Sequence, residues 1–330
     1  MAAAMMATVG FAQSSMLATL SHEGEIGTYY GARALVEAYN AADNGDVITL
    51  SSGSFVATNI EKGITIRGAG MAIDSQAQNE PTVITGDFII NIPDETTTRL
   101  TLEGIYHNHL ITINGNFKNG TFIKDRFRQI TSGWGDETIS NLSMINCYVS
   151  KELDCPQNSS ISCVNCVVVY PYCYDSETSI FEFSNCIIIG ENMGYNIYSA
   201  SYKNCILAGN TQSGNYLYSS CTAYNCINVD AIDANMFKNI PNSTNSEAEY
   251  ASVFKTFTGT YSDSELFELT DEAKATYLGL DGKEVGIYGG MMPYSSVPTN
   301  PQITKCNVAS KSTPDGKLSV DITIGSSDSE

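Results

Sequence analysis

The dipeptide Asn-Cys recurs five times at near-constant spacing, and this constrains the fold more than any other feature of the chain. The asparagines are Asn146, Asn165, Asn185, Asn204 and Asn225, at steps of 19, 20, 19 and 21 residues. Each is followed by a cysteine: Cys147, Cys166, Cys186, Cys205 and Cys226. A fixed period near twenty marks a stacked repeat. Two and four residues before each Asn stand mainly apolar side chains, such as Met144, Phe183, Leu142 and Ile161; between them stand Ser143, Ser162, Glu182, Ser201 and Thr222. That alternation belongs to a strand with one buried face. After each Asn-Cys comes an apolar run, such as Val167-Val168-Val169 or Ile187-Ile188-Ile189, whose β-branched content also suits a strand.

Each unit therefore reads as strand, Asn, strand and a variable return. Asn tolerates the left-handed backbone that bends a chain sharply. Stacking would bring the amides into a ladder, each bonding to the next about 4.8 Å away. Helical solenoids would need 3.6-periodic segments, and leucine-rich repeats an L-x-x-L-x-L frame; the chain has neither. The expected fold is all-β, a parallel β-helix with turns of about twenty residues. Counting back in twenties from Leu142 extends the register to Phe122 and Leu102.

An open β-helix exposes its core at both ends and needs caps. Residues 31–42 (GARALVEAYNAA) read as a short amphipathic helix with Leu35, Ala38, Tyr39 and Ala42 on one side. At the far end, strands near 302–309 and 317–324, joined by Pro314-Asp315-Gly316, read as a hairpin. The helix is followed by Gly45-Asp46-x-Ile48-x-Leu50, Gly53-x-Phe55 and Ile64-x-Ile66-x-Gly68-x-Gly70. This opening resembles that of pectin-lyase-like right-handed parallel β-helix proteins. The segment FELTDEAKATYLGLDGKEVGIYGGMMPY and the tail after it are similar to the closing parts of secreted Bacteroidetes β-helix proteins of unknown function. The resemblance covers roughly residues 30–325 and implies fold rather than activity, because this architecture hosts lyases, hydrolases, adhesins and capsid spikes. The expected organisation is a signal-peptide remnant over 1–12, a capped β-helix over 13–295 and a hairpin extension with tail over 296–330.

The apolar start ends in Gly10-Phe11-Ala12, small residues of the kind a signal peptidase takes, although no cationic leader precedes it. It implies a secreted, periplasmic or cell-surface protein. A formal charge of −19 repels phosphate backbones and anionic lipid heads, so neither nucleic acid nor a membrane is an expected partner. No later stretch reaches the roughly 18 apolar residues of a membrane span.

Of ten cysteines, the five after the asparagines should stack as reduced, small hydrophobes with parallel Cβ vectors. Cys163-x-x-Cys166 has no second pair, so no metal is expected there. Cys155 and Cys173 fall in equivalent loops of adjacent turns and are candidates for a disulfide.

Two constellations could carry function. Residues 104–138 collect His107, His109, Lys124, Asp125, Arg126, Arg128 and the sole tryptophan, Trp134. Tyr106 falls one period before Arg126, with His107 near Arg128. Lys124, Arg126, Arg128 and His107 are the candidate catalytic groups for a polysaccharide lyase, which takes a proton beside a uronate, or a glycoside hydrolase; calcium would be the cofactor under the lyase alternative only. The same charges also read as a solvated strand face with cross-strand ion pairs. The second constellation is aromatic. Tyr170, Tyr172, Tyr174, Tyr195, Tyr198, Tyr216 and Tyr218 crowd the later turns, and with Trp134 they could stack on sugar rings or simply stabilise a sheet surface. No clustered carboxylate pair of the hydrolase type appears nearby. The leading expectation is a carbohydrate-binding or adhesin-like β-helix whose partner is a polysaccharide or other glycan. The alternatives are a lyase or hydrolase acting near residues 106–137, and a passive structural spacer.

Overall fold

The computed structural model describes residues 16–72, 80–133, 138–173, 178–190, 197, 199–209, 217–229, 236–240 and 244–295, together with 302–308, 311, 313, 315–317 and 319–325. It is a parallel β-helix with two long faces. One is an 11-stranded sheet and the other a 12-stranded sheet. A short pair, Asn116–Lys118 with Thr138–Ser140, starts a third face and turns Phe117 and Ile139 into the core.

The alternation read before each Asn is realised rung by rung. Met144, Cys163, Phe183, Tyr202 and Ala223 lie in register on the first sheet and are buried. Phe183 stacks on Tyr202 with ring centroids 5.3 Å apart. In the earlier turns Phe122 pairs with Met144 and with Leu102, whereas Leu142 pairs with Ile161. The step from Leu142 back to Phe122 is therefore out by two residues, because that turn is longer than twenty; Phe122 nevertheless points inward, since a two-residue slip preserves the face.

The five asparagines all adopt left-handed backbone, with φ between 51° and 54°. Gly104 (φ 68°) and Lys124 (φ 52°) hold the same corner in preceding turns, each passing its N–H to the next rung as the asparagines do. The residue after this corner turns its side chain inward, and here the cysteines find their use. The N–H of Cys147 donates to Cys166 Sγ at 3.3 Å, that of Cys166 to Cys186 Sγ at 3.4 Å, and that of Cys186 to Cys205 Sγ at 3.4 Å. Each thiol in turn donates to a carbonyl of its own corner or of the preceding turn, as Cys186 does to Cys163 O at 3.3 Å. The thiols thus satisfy a buried N–H that the bend would otherwise orphan. Burial pushes the Cys147, Cys186 and Cys226 thiols well above the ordinary thiol range. Cys155 and Cys173 lie side by side in register, but no disulfide joins them and both remain buried thiols. In-register residues of parallel strands point the same way rather than at each other.

The expected amide ladder forms only in part. Asn204 Nδ2 donates to Asn185 Oδ1 at 3.4 Å. Three of the five, Asn165, Asn204 and Asn225, also bind a strap formed by residues 250–295. Asn165 Nδ2 donates to Ile287 O and Gly289 O, both at 2.8 Å, and Asn225 Nδ2 to Leu278 O at 3.0 Å. Leu280 N donates to Asn204 Oδ1 at 3.1 Å. The approach is close enough that a Cβ on Gly279 would lie 2.7 Å from the Asn204 amide carbon, so a side chain there would push the strap off its rail.

The strap also explains the uninterrupted apolar runs. Val168, Ile188 and Leu207 face the solenoid core, while Val167, Ile187, Ile206 and Ile227 point outward into a second cluster with Val253, Phe254, Phe257, Phe267, Leu269, Val285 and Ile287. The second sheet is buried on both faces there, which removes the alternation. Within the strap, Thr270 caps the helix Asp271–Thr276 by accepting from Ala273 N at 3.1 Å.

The expected cap is the helix Ala34–Ala41, with Leu35, Ala38 and Tyr39 buried. Ahead of it lies a hairpin that the sequence reading missed, Leu17–His22 with Glu25–Tyr30, added antiparallel to the edge of the first sheet. His22 Nδ1 and Asp46 Oδ2, 2.9 Å apart, tie its turn to the first rung. The C-terminal strands Gln302–Val308 and Val320–Gly325 pair antiparallel, and Gly316 takes φ 81° in the turn between them. No helix of the described residues is long and apolar enough to cross a membrane.

Candidate functional site

The outward column that is apolar under the strap changes character in the middle turns. There it reads Tyr106, Arg126 and Tyr148, paired in register across three rungs. The Arg126 guanidinium lies between the two rings, 5.8 Å from the Tyr106 centroid and 5.2 Å from that of Tyr148, in the geometry of a double cation–π contact. Its Nη2 donates to Asp263 O of the strap at 3.0 Å, and its Nε finds no hydrogen-bond partner among the described residues. Among those residues Arg126 also forms no ion pair.

These three residues floor a groove of about 710 Å³, within the range of small-ligand sites. The strap supplies one wall through Leu266, Tyr288 and Tyr294; Met71, Ala72 and Pro81 also line the groove. Tyr294 meets Tyr148 edge-on at 5.1 Å and Tyr288 at 6.0 Å. The Tyr288 hydroxyl donates to Leu266 O at 2.7 Å. Burial raises the phenol pKa of Tyr148, Tyr288 and Tyr294 above the ordinary tyrosine value, so all three remain neutral O–H groups through the physiological range. Glu265, at the rim, is already engaged: its Oε1 accepts from Thr256 Oγ1 at 2.7 Å and from Phe267 N at 3.0 Å.

The four candidate catalytic groups do not assemble. Arg126 lies in the groove and Arg128 is exposed beside it. His107 follows Tyr106 in the strand and so points into the core, opposite Phe127 rather than Arg128. Its Nε2–H donates to Gly86 O at 2.9 Å, its ring meets Phe88 edge-on at 4.8 Å, and burial lowers its pKa to about 4. Lys124 is buried at the left-handed corner, and burial lowers its pKa against the raising effect of Glu103. Asp125 is fully buried. The run KDRFRQ is therefore not one solvated face: a corner and a bulged strand divide it. Cross-strand ion pairs do form nearby, as between Arg67 and Glu103 at 2.9 Å.

Of the tyrosines singled out in the later turns, Tyr170 and Tyr172 stack at 6.3 Å with rings 4° from parallel, and Tyr218 packs against the core. Tyr174, Tyr195, Tyr198, Tyr216 and Trp134 lie outside the described residues, as does the segment 1–15. The groove tyrosines Tyr148, Tyr288 and Tyr294 were missed. For Tyr148 there was a signal, since it follows Cys147 where later turns carry Val or Ile. Among the described residues no three His, Cys, Asp or Glu side chains come together as a metal-holding set.

Compared with protein-family models, curated proteins and solved structures, the chain finds no match in any of the three. What the structure shows is a parallel β-helix, and none of the comparisons ties it to pectin-lyase-like proteins.

Proposed function

We propose that the protein is a secreted or cell-surface β-helix that binds a carbohydrate chain in the groove over Tyr106, Arg126 and Tyr148. The observation that carries this reading is the pairing of flat aromatic faces and neutral phenol donors with a guanidinium whose Nε–H has no partner among the described residues. Tyrosine offers an apolar face to a sugar ring and a hydroxyl to its polar edge. A guanidinium adds directional donors without titrating. Binding rather than cleavage is favoured because His107 and Lys124, which could have moved a proton, are turned away from the groove.

A glycan array probed with wild-type protein and with Tyr288→Ala tests the reading. Binding to a saccharide by the wild type, weakened at least tenfold in the variant, supports it; a tenfold loss corresponds to about 1.4 kcal/mol. No binding, together with release of new reducing or unsaturated ends from a polysaccharide, would overturn it in favour of a lyase or hydrolase.

A further inference from the structure

Beside the groove lies a second, smaller recess of about 410 Å³ that shares Tyr106 and Asp263 with it. Its chemistry is different. Arg128 and Lys151 enter it with Asn108, Ser150 and Ser262, so two cations, one amide and two serine hydroxyls line one space, with Tyr261 and the single acid Asp263 beside them. Among the described residues neither Arg128 nor Lys151 forms an ion pair; Lys151 Nζ donates to Gln129 Oε1 at 2.8 Å. Unpaired cations side by side are unexpected on a chain of net charge −19 with 36 acidic residues.

The backbone is built around this recess. Phe127 pairs with His107 and Gln129 with Leu110, so Arg128 alone stands against Asn108 and His109. On the other side Phe127 pairs with Val149 and Gln129 with Glu152, so Arg128 again stands against two residues, Ser150 and Lys151. Both neighbouring rungs carry an extra residue at the same place. A β-bulge re-aims side chains, and bulges concentrate at the edges and sites where that is useful. Here they bring Asn108 from one side and Lys151 from the other toward Arg128.

We infer that this recess binds a tetrahedral anionic ester, sulfate or phosphate, carried by a saccharide whose ring lies in the adjoining tyrosine groove. The inference rests on the saccharide reading of that groove. A tetrahedral ester presents several terminal oxygens on a short arm, which suits donors arriving from two strands and from the strap. Charge-assisted bonds from guanidinium and ammonium to such oxygens are among the stronger hydrogen bonds in proteins. The overall negative field repels a densely charged polymer, so the ester is an isolated substituent on an otherwise neutral chain. Asp263 on the shared rim sharpens this choice, because its carboxylate opposes a second anion next to the first.

The test is an array presenting the same saccharides unsubstituted, as uronates, as sulfate esters and as phosphate esters, probed with wild type, Arg128→Gln/Lys151→Gln and Tyr288→Ala. Both replaced cations are exposed, so the double variant should fold. The expected result is an ester preference of about tenfold or more over the unsubstituted form. That preference should vanish in the double variant while binding of the unsubstituted saccharide persists, and Tyr288→Ala should lose both. The sulfate and phosphate arms identify which ester is taken. Equal binding of ester and unsubstituted forms, a stronger preference for uronates, or an ester preference that survives the double variant would overturn the inference and leave the saccharide reading standing. If the wild type binds no saccharide, the saccharide reading fails, and thermal shift with inorganic sulfate and inorganic phosphate decides the recess alone. Stabilisation beyond chloride at equal ionic strength, lost in the double variant, supports an oxyanion site, and its absence overturns one.

Discussion

Asp125 stands one turn before Cys147 in the same inward column and does the work of a thiol there: its Oδ1 accepts from Ile105 N at 2.8 Å, as Cys166 Sγ accepts from Cys147 N at 3.3 Å. At the other end Asn245 takes the same place, accepting from Cys226 N through Oδ1 at 2.9 Å and donating Nδ2 to Ala223 O at 3.0 Å. The column of five cysteines is thus flanked by a carboxyl and an amide that satisfy the same backbone group. A thiol is already neutral at ordinary pH, whereas a carboxyl would be ionised there were burial not to make the charged form costly.

That cost gives a prediction with a definite sign. Burial raises the Asp125 pKa well above 3.8, against the lowering effect of the two backbone N–H donors. The folded protein therefore holds this proton more tightly than the unfolded chain. The contribution to stability is present in full below the ordinary carboxylate pKa and is lost as pH rises from there toward the folded value, at up to about 1.4 kcal/mol per pH unit. Asp125→Cys, the residue of the following turns, removes the titration and keeps the acceptor. The difference in stability, variant minus wild type, should grow as pH rises above 4. Urea denaturation from pH 4 to 8 would measure it, and a difference independent of pH would show that Asp125 keeps its ordinary pKa.

The thiols support a second prediction. Cys186→Ser keeps a group that can accept from Cys166 N and donate to Cys163 O, whereas Cys186→Ala takes the thiol acceptor from the buried Cys166 N–H and removes the bond to Cys163 O. An unsatisfied buried group costs about 1–3 kcal/mol. The alanine variant should therefore be the less stable of the two, although alanine is the more apolar replacement. If packing alone explained the column, the order in a denaturation experiment would reverse.

Much of this architecture was legible because one residue type carried the period. Asn146 through Asn225 repeat a backbone requirement, and Asn is among the few residues other than glycine that meet it readily. The corner was hidden where other residues fill it: Gly104-Ile105 and Lys124-Asp125 obey the same geometry without the same letters. The strap was hidden for another reason. Val167-Val168-Val169 reads as a strand, and its loss of alternation signals a second covered face, but the run itself does not identify the segment that covers it. The groove was half legible. Counting back one period paired Tyr106 with Arg126, whereas the wall that completes it arrives from 137 residues away, at the distance between Arg126 and Asp263.

The rail between solenoid and strap yields a third prediction. Asn165 Nδ2 holds two strap carbonyls, so Asn165→Ala removes both bonds while leaving the solenoid's own rungs intact. The alanine must also adopt φ near 51°, which disfavours it further. Hydrogen exchange should quicken across 277–290 by roughly tenfold to a hundredfold, a local loss of about 1–3 kcal/mol. Asn165→Gly relieves the backbone strain but restores no amide, so exchange in the strap should remain fast in that variant. Recovery with glycine would assign the effect to the corner rather than to the rail.

The last prediction separates stability from binding. His107 lies behind the groove floor, and burial holds its pKa at about 4 instead of 6.5. A base depressed on folding destabilises the folded state as pH falls through that interval, because the unfolded chain takes the proton first; the loss can reach a few kcal/mol. His107→Gln keeps a side-chain N–H that can reach Gly86 O and does not titrate, so the wild type should lose stability relative to this variant between pH 6.5 and 4. Saccharide binding should stay flat from pH 5.5 to 8, since the groove offers neutral phenols and a guanidinium. Paired denaturation and binding curves at each pH would test both statements. A binding midpoint near pH 6.5 that disappears in His107→Gln would mean that the imidazole reaches the ligand, which its position behind Tyr106 forbids.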